Sequence, residues 1–359
     1  MLPVPPFAES LRDYERWLKA RLRGDVWDQD LAHKHDRMRE TAFVFLRATY
    51  WRWAETILTI CPALAGAPAV AAVGDVHLEN YGVWRDVEGR LTWGINDLDE
   101  AAEMPYAIDL VRLATSAILS RPGARPSKSA ICADVLSGYL KGLSNPGAFS
   151  LDEEHLGLRA LFAVSEDERS RFWKKVDALT ADSRVPRLYR SAILGRMPGD
   201  DAAVEMFARR RAGVGSLGRP RWVGVARWRG GRVVREAKAV VPSGWTRAHA
   251  RGPAATAITI VGGRYRAPDP WYSMTDTVVV RRLSPNSRKI EGKAQAAQLL
   301  KENMLRAMGR ELANIHLGGA NVAQRIRTDL SRRGTGWLEQ AAGAAAEFVA
   351  EEFTKYVRS

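Results

Sequence analysis

Cysteine is scarce in this chain: Cys61 and Cys132 are the only two in 359 residues, and both sit in apolar surroundings (TILTICPAL and SAICADVL). Two such thiols give neither a zinc-ligand spacing nor a disulfide framework, and they read as core residues of a protein from a reducing compartment. Long apolar runs are missing as well. No uncharged stretch approaches the roughly 18 residues of a membrane span. The N-terminal MLPVPPFAESLRDYERWLKARLRGD lacks the basic-then-apolar order of a secretory signal. The expectation is a soluble, cytoplasmic protein with no membrane partner. Acidic residues are in deficit, 41 Asp+Glu against 54 Lys+Arg, for a formal net charge of +13. Such a balance favours polyanionic or phosphorylated partners and is silent about fold.

What is present is enough for an ordinary core: 46% of residues are hydrophobic and 8% aromatic, which excludes wholesale disorder. The length suits two domains, or two lobes of one. An amphipathic helix is expected from Ser10, as N-cap, through Leu11, Tyr14, Leu18 and Leu22 to a stop at Gly24. A second should cover Arg37 to Ile60, with Phe43, Phe45, Trp51 and Trp53 mostly in the core. From Ala69 the texture changes to two buried strands, Ala69 to Val73 and Arg90 to Ile95, flanking a polar loop. Helices follow from Pro105 to Leu119 and, after a loop over 120–128, on to about Asp182. Beyond Arg187 the alternation of RWVGVARWRGGRVVREAKAVVPS predicts a β-hairpin turning at Gly230-Gly231, with a third strand over Thr277 to Leu283. Helix returns from Ser287 to a stop at Gly318-Gly319, and a last helix spans about Trp337 to Val357. The reading is an α+β protein with a helical part over 1–186, a β-rich part over 187–290, and C-terminal helices over 291–359 that complete the first.

The strongest local signal is Gly74-Asp75-Val76-His77-Leu78-Glu79-Asn80, followed by Asn96-Asp97-Leu98-Asp99-Glu100. An Asp and an Asn five apart on a loop, with a later Asp at a strand end, form the oxygen-rich set that phosphoryl transfer requires. One carboxylate deprotonates the acceptor hydroxyl, while the amide oxygen and the second carboxylate hold Mg2+ against nucleotide phosphates. Asp99 and Glu100 are alternative metal carboxylates. A Gly-Asp turn at a strand end is also common without any catalytic role.

These motifs resemble the kinase-like phosphotransferases, whose small-molecule members carry H-G-D-x-H-x-x-N before an I-D strand end. The resemblance is closer to the bacterial family called domain of unknown function 2252. Its shared features are K-x-x-x-M and F-x-F-x-R (Lys34, Met38, Phe43, Phe45, Arg47), G-D-x-H-x-x-N, N-D-x-D-E, and D-L-x-R-L (Asp109, Leu110, Arg112, Leu113). It runs through most of residues 30–320. The resemblance implies Asp75 as the catalytic-loop aspartate, His77 as support for that loop, Asn80 as a metal ligand and Asp97 as the metal-binding aspartate. Asp109 would be structural.

In the basic part, Gly213-Val214-Gly215-Ser216-Leu217-Gly218 is a G-x-G-x-x-G, and Lys238 lies on the hairpin that follows. A Rossmann context, strand before and helix after, is not what the pattern gives. The order of glycine loop, second strand and third-strand lysine is that of a kinase. Glycine N–H groups approach phosphates closely and the ammonium neutralises their charge. The alternatives are a flexible entry to a hairpin and a solvated strand lysine. Because residues 213–238 follow residues 75–97, the implied protein-kinase-like two-lobed fold is circularly permuted. Two departures stand out: no Glu occurs between Lys238 and Glu291, leaving Glu236, Asp269 or Asp276 as partners for the lysine, and the second metal motif is N-D-L-D. His33, His155 and His249 fit no pattern.

The leading expectation is therefore a phosphotransferase using ATP and Mg2+ on an unidentified substrate, with anionic ones among the candidates. The alternatives are a nucleic-acid-binding protein whose Arg-rich β part interleaves Trp222, Trp228 and Trp245, an ATP-binding pseudokinase, or a nucleotidyltransferase. The charge sharpens this. Residues 187–293 hold 22 Lys+Arg and 7 Asp+Glu, so the positive charge belongs to the part that carries the glycine loop and Lys238.

Overall fold

The computed structural model describes residues 4–249, 256–290, 293–319 and 322–359. It is a mixed α+β structure with fifteen α-helices among the described residues and small antiparallel sheets. Strands β1 (Ala69–Ala72) and β4 (Ala102–Pro105) pair with each other. β2 (Tyr81–Arg85), β3 (Leu91–Ile95) and β5 (Phe149–Ser150) form a second sheet. The expected strand pair around the polar loop is thus divided between two sheets. β2 is an additional strand inside the segment expected to be loop, where Tyr81 and Val83 are buried in the main core.

The third sheet has five strands in the order β6-β7-β8-β10-β9: β6 (Ala203–Arg209), β7 (Arg221–Trp228), β8 (Gly231–Ala239), β9 (Ser273–Met274) and β10 (Val278–Leu283). The β7–β8 turn is Arg229-Gly230, one residue before the glycine pair expected there. Both residues have positive φ (45° and 82°), the geometry that lets a two-residue hairpin follow strand twist. β6 lies in sequence not expected to be strand, and 187–290 also contains helices Arg187–Leu194, Gly244–His249 and Thr256–Val261. The helix Arg187–Leu194 covers the sheet face that bears Trp222, where Ile193 packs against Gly224.

Register decides what the opposite face carries. Val223 faces Glu236 and Glu236 faces Arg281, while Arg221 faces Lys238. Side chains alternate across a strand, so Arg221, Glu236, Lys238 and Arg281 all project from one face, at the end that meets the loops carrying Asp75 and Asp97.

The main core gathers around the helix Tyr106–Ser120, flanked by Lys128–Ser144, Glu302–Leu317 and Trp337–Arg358. The single helix expected over 37–60 is three: Asp28–Met38, Ala42–Ala48 and Tyr50–Ile60. The first ends with Arg39 as its C-cap, and Thr41 starts the second, adopting extended backbone and accepting a 3.1 Å hydrogen bond from the Val44 N–H as an N-cap. The first helix begins at Phe7, directly after Pro6. Ser10 is therefore no cap; it is buried and accepts a hydrogen bond from Arg52. The helix expected from Ser287 is two, Lys293–Leu299 and Glu302–Leu317. No helix of the described residues is long and apolar enough to cross a membrane.

Candidate active site

Two loops and one helix build the site. Strand β1 runs into Gly74-Asp75, strand β3 runs into Asn96 to Glu100, and the helix Tyr106–Ser120 lies beneath both. Asp109, on that helix, accepts hydrogen bonds from the N–H groups of Val73 (2.7 Å) and Gly74 (3.0 Å). His316 shares the same carboxylate at 3.2 Å and meets the Tyr139 hydroxyl at 2.9 Å. Asp109 and His316 are buried, so backbone amides otherwise left unpaired are satisfied by a fixed carboxylate. Gly74 has φ of +77°, and a Cβ there would lie 2.3 Å from the Glu100 carbonyl oxygen and 2.6 Å from the Tyr50 hydroxyl. Only glycine lets the two loops come this close.

Asn80 joins them. Its amide nitrogen donates to the backbone oxygens of Asp75 (3.1 Å) and Asp97 (3.0 Å), and its Oδ1 accepts from the Asp97 N–H at 3.1 Å. One lone pair of Oδ1 remains for a further partner. Asp75 is half-buried and forms an ion pair with Arg112, which is fully buried beneath it. Arg112 also donates to the Leu46 carbonyl (3.0 Å) and lies over the rings of Tyr50 and Trp53. Burial raises the Asp75 carboxyl above its ordinary pKa, against the opposing pull of Arg112 and Arg47. His77 is held neutral, first by burial and then by Arg47 and Arg112; its Nδ1 accepts from the Glu79 N–H at 3.1 Å. That fixes the turn between Asp75 and Asn80.

Asp97 is the carboxylate that opens to the cleft, with 36% of its side chain exposed. Burial works against its ionisation, yet Lys238, Lys289, Arg281 and Arg221 hold it well below the usual carboxylate range. Asp99 is turned inward onto the Lys238 ammonium, which also lies 3.5 Å from Asp97. Burial and the Asp97 charge push the Asp99 pKa up against that ammonium. Lys238 thus finds its carboxylates on the loop after β3. Glu236, Asp269 and Asp276 do not supply the partner: Glu236 binds Arg210, Arg221 and Arg281, and Asp269 binds Arg282. Glu100 accepts from Arg219 and from the Gly244 N–H, both at 2.7 Å, and so clamps the loop.

The glycine loop lies directly on this site. A Cβ on Gly215 would be 3.4 Å from Asp75 Oδ2 and 3.1 Å from the Arg47 carbonyl oxygen. Lys34, buried, donates to the Gly215 carbonyl at 3.0 Å, and Arg221 donates to the Ser216 hydroxyl at 2.8 Å. Gly213 (φ +73°) and Gly218 (φ +91°) turn the chain at either end. Gly218 is directed away from the cleft, against Leu31, and its carbonyl accepts from the Trp27 N–H at 3.0 Å. A strand, β6, does precede this loop, contrary to the sequence expectation, but a strand also follows it, so a Rossmann phosphate turn is still absent.

A cavity of about 390 Å³ gathers Asp75, His77, Asn80, Asp97, Asp99, Gly213, Gly215 and Ser216 in its wall. Lys238 and Gly218 lie behind that wall. Nine Arg and Lys side chains line the cavity against five Asp and Glu, so it suits an anion. No cluster of three or more His, Cys, Asp or Glu that could hold a metal occurs among the described residues. Mg2+ does not require one: it takes one or two protein oxygens and completes its shell with phosphates and water. Asp97 and the spare lone pair of Asn80 fit that role, whereas Asp99 is engaged by Lys238. Trp222 and Trp245 are buried and present no open stacking surface, while Trp228 is partly exposed and donates its ring N–H to Asp201.

Residues 27–184 match a family described as an uncharacterized protein conserved in bacteria (DUF2252). The match contains Asp75, His77, Asn80, Asp97, Asp99, Asp109 and Arg112. It ends before the glycine loop and Lys238, so it is shorter than the 30–320 over which the motifs suggested a resemblance. No curated protein and no solved structure matches the chain.

Sequence reasoning gave no role to Arg219 or Arg281 and offered Glu236 only as a partner for Lys238, not for the arginines it binds. Strand alternation carried a signal for the last two, since charged residues at positions 236 and 281 share a face with Arg221 between valines.

Proposed function

We propose that the chain is a Mg-ATP-dependent phosphotransferase with a permuted, kinase-like arrangement. In it, 187–290 supplies the nucleotide-binding lobe, and 1–186 with 291–359 supplies the helical lobe. The observation that supports this most is the Asn80 side chain, which bridges the backbones of Asp75 and Asp97 while Gly215 lies against Asp75. A candidate base, a candidate metal carboxylate and a candidate phosphate loop thereby share one cationic cleft. Asp75 would accept the proton of an acceptor hydroxyl; the oxygen then bonds to the γ-phosphorus and the bond to the β–γ bridging oxygen breaks, releasing ADP. Partial burial keeps Asp75 a better proton acceptor than a free carboxylate, while Arg112 fixes its orientation. Mg2+ held by Asp97 and Asn80 would neutralise phosphate charge. His77, neutral, stiffens the turn, and the basic walls favour an anionic acceptor.

The test is a magnesium-dependent thermal shift with ATP, followed by ADP release. Ligand at 100 times Kd stabilises by about 2.7 kcal/mol, so saturating Mg-ATP should raise Tm by several degrees. Asp97→Asn should remove most of the magnesium dependence, and Asp75→Asn should stop turnover while leaving the shift. No shift in the wild-type protein, or an unchanged shift in Asp97→Asn, refutes the assignment.

A further inference from the structure

We propose that Arg210, Arg221 and Arg281, gathered on the single buried carboxylate of Glu236, form the polyphosphate-binding subsite of the cleft, in place of the strand lysine Lys238. The proposal rests on the phosphotransferase reading of this cleft and names the cations that would grip its nucleotide.

Lys238 is badly placed for the task. Its side chain is 3% exposed, it lies behind the cavity wall, and its ammonium is engaged by Asp99 with Asp97 at 3.5 Å. Moving it onto a phosphate would leave Asp99 buried without a counter-charge, which is costly. The three arginines are placed differently. All line the cavity. Arg221 and Arg281 each meet Glu236 Oε1, at 2.6 and 2.7 Å, and Arg210 takes Oε2. Three guanidinium groups on one carboxylate leave a local excess of two positive charges.

That excess is fixed in place. Glu236 is 1% exposed, and it remains ionised because the three arginines outweigh its burial. Arg221 is buried and turns its second terminal nitrogen to Ser216, tying the cluster to the glycine loop. Arg281 and Arg210 keep 25% and 33% of their side chains exposed. Arg281 uses only Nε on Glu236, so its two terminal nitrogens are available as a fork. A planar fork matches two phosphate oxygens where an ammonium matches one. A carboxylate-bearing small ligand would use one fork; a chain of phosphates can use Arg281 and Arg210 together, beside the N–H groups of residues 213–216.

The experiment is calorimetric titration of the full chain with inorganic tripolyphosphate, without Mg2+, and separately with Mg-ATP. Wild type should bind both. Arg281→Gln and Arg210→Gln should each weaken tripolyphosphate binding about tenfold, with Tm little changed because Glu236 keeps two arginines. Arg281→Lys should recover only part of the loss, since charge returns without the fork. Lys238→Gln paired with Asp99→Asn, so that no buried charge is left alone, should weaken tripolyphosphate binding far less than either arginine variant. If wild type binds but Arg281→Gln and Arg210→Gln bind equally well, or if Lys238→Gln with Asp99→Asn abolishes binding while its Tm shows a folded protein, this inference is wrong and the phosphotransferase reading stands. If wild type binds neither ligand, the reading of the cleft fails and the inference with it.

Discussion

Replacing Arg112 by methionine isolates the electrostatic support of Asp75. Methionine fills much the same volume among Tyr50, Trp53 and Leu46 but removes the ion pair to Asp75, the 3.0 Å hydrogen bond to the Leu46 carbonyl and the contact of a cation with two ring faces. Breaking a buried pair by deleting one partner costs about 3–5 kcal/mol. The lower end applies here, because Asp75 is partly open to the cleft and can protonate. The sign of the pH dependence follows from the same carboxyl. Its folded-state pKa is already raised by burial, and loss of Arg112 raises it further. A raised carboxyl destabilises the fold where it must ionise, so the penalty is absent below the unfolded value, near pH 4, and grows until pH passes the folded value. Urea unfolding followed by tryptophan fluorescence should show Arg112→Met about 3 kcal/mol less stable than wild type at pH 8, with the deficit shrinking toward pH 5. The double variant with Asp75→Asn should be more stable than the sum of the single effects predicts, by about 2 kcal/mol. A deficit equal at pH 5 and pH 8, together with strict additivity, would refute the reasoning and reduce Arg112 to a packing residue.

Gly74→Ala should cost more than Gly24→Ala, although both glycines have φ near +80°, because nothing lies within 4 Å of a Cβ at Gly24 while Gly74 faces the Glu100 carbonyl at 2.3 Å. The left-handed backbone alone accounts for about 1 kcal/mol, so chemical denaturation should place Gly74→Ala at least 2 kcal/mol below Gly24→Ala. Burial lowers the Lys34 pKa to about 8 from 10.5, so the unfolded chain holds the extra proton between those values and wild-type stability rises with pH across that window, by about 3 kcal/mol. Lys34→Met should lack this rise between pH 8 and 10.5; parallel stability curves for the two proteins would exclude the effect.

Much of the site was legible before the fold, and the reason is local. Gly74, Asp75, His77 and Asn80 are within seven residues of one another, so one turn fixes their relation, and Asp97 comes just after a strand that its Trp-, Thr- and Ile-rich run indicates. Long-range pairings were not legible. Lys238 was assigned a choice of Glu236, Asp269 or Asp276 from nearness in sequence, yet its partners Asp97 and Asp99 lie some 140 residues away. Glu236 is two residues from Lys238 and on the same sheet face, but three arginines from β7, β10 and the segment after β6 claim it first. Residues 37–60 look like one helix in sequence because aromatic runs keep a helical look through breaks that depend on single threonines. Thr41 caps one helix, and Thr49, at φ −122°, separates the next two while its hydroxyl donates to the Phe45 carbonyl.

The N-terminal motif residues find their explanation in where they end. Lys34 reaches the Gly215 carbonyl, Arg47 pairs with Glu79 inside the Asp75 to Asn80 turn, and Arg112 pairs with Asp75. These three cations come from three different helices and hold, in turn, the glycine loop, the turn and the candidate base. None needs to touch a ligand to matter. A glycine loop left to itself would be free to move away from the cleft; here Trp27, Leu31 and Lys34 fix it from the side of the helix Asp28–Met38. On the proposed phosphotransferase reading, the preorganisation that charge stabilisation demands would come in large part from residues 27–47, a segment with no candidate catalytic group of its own.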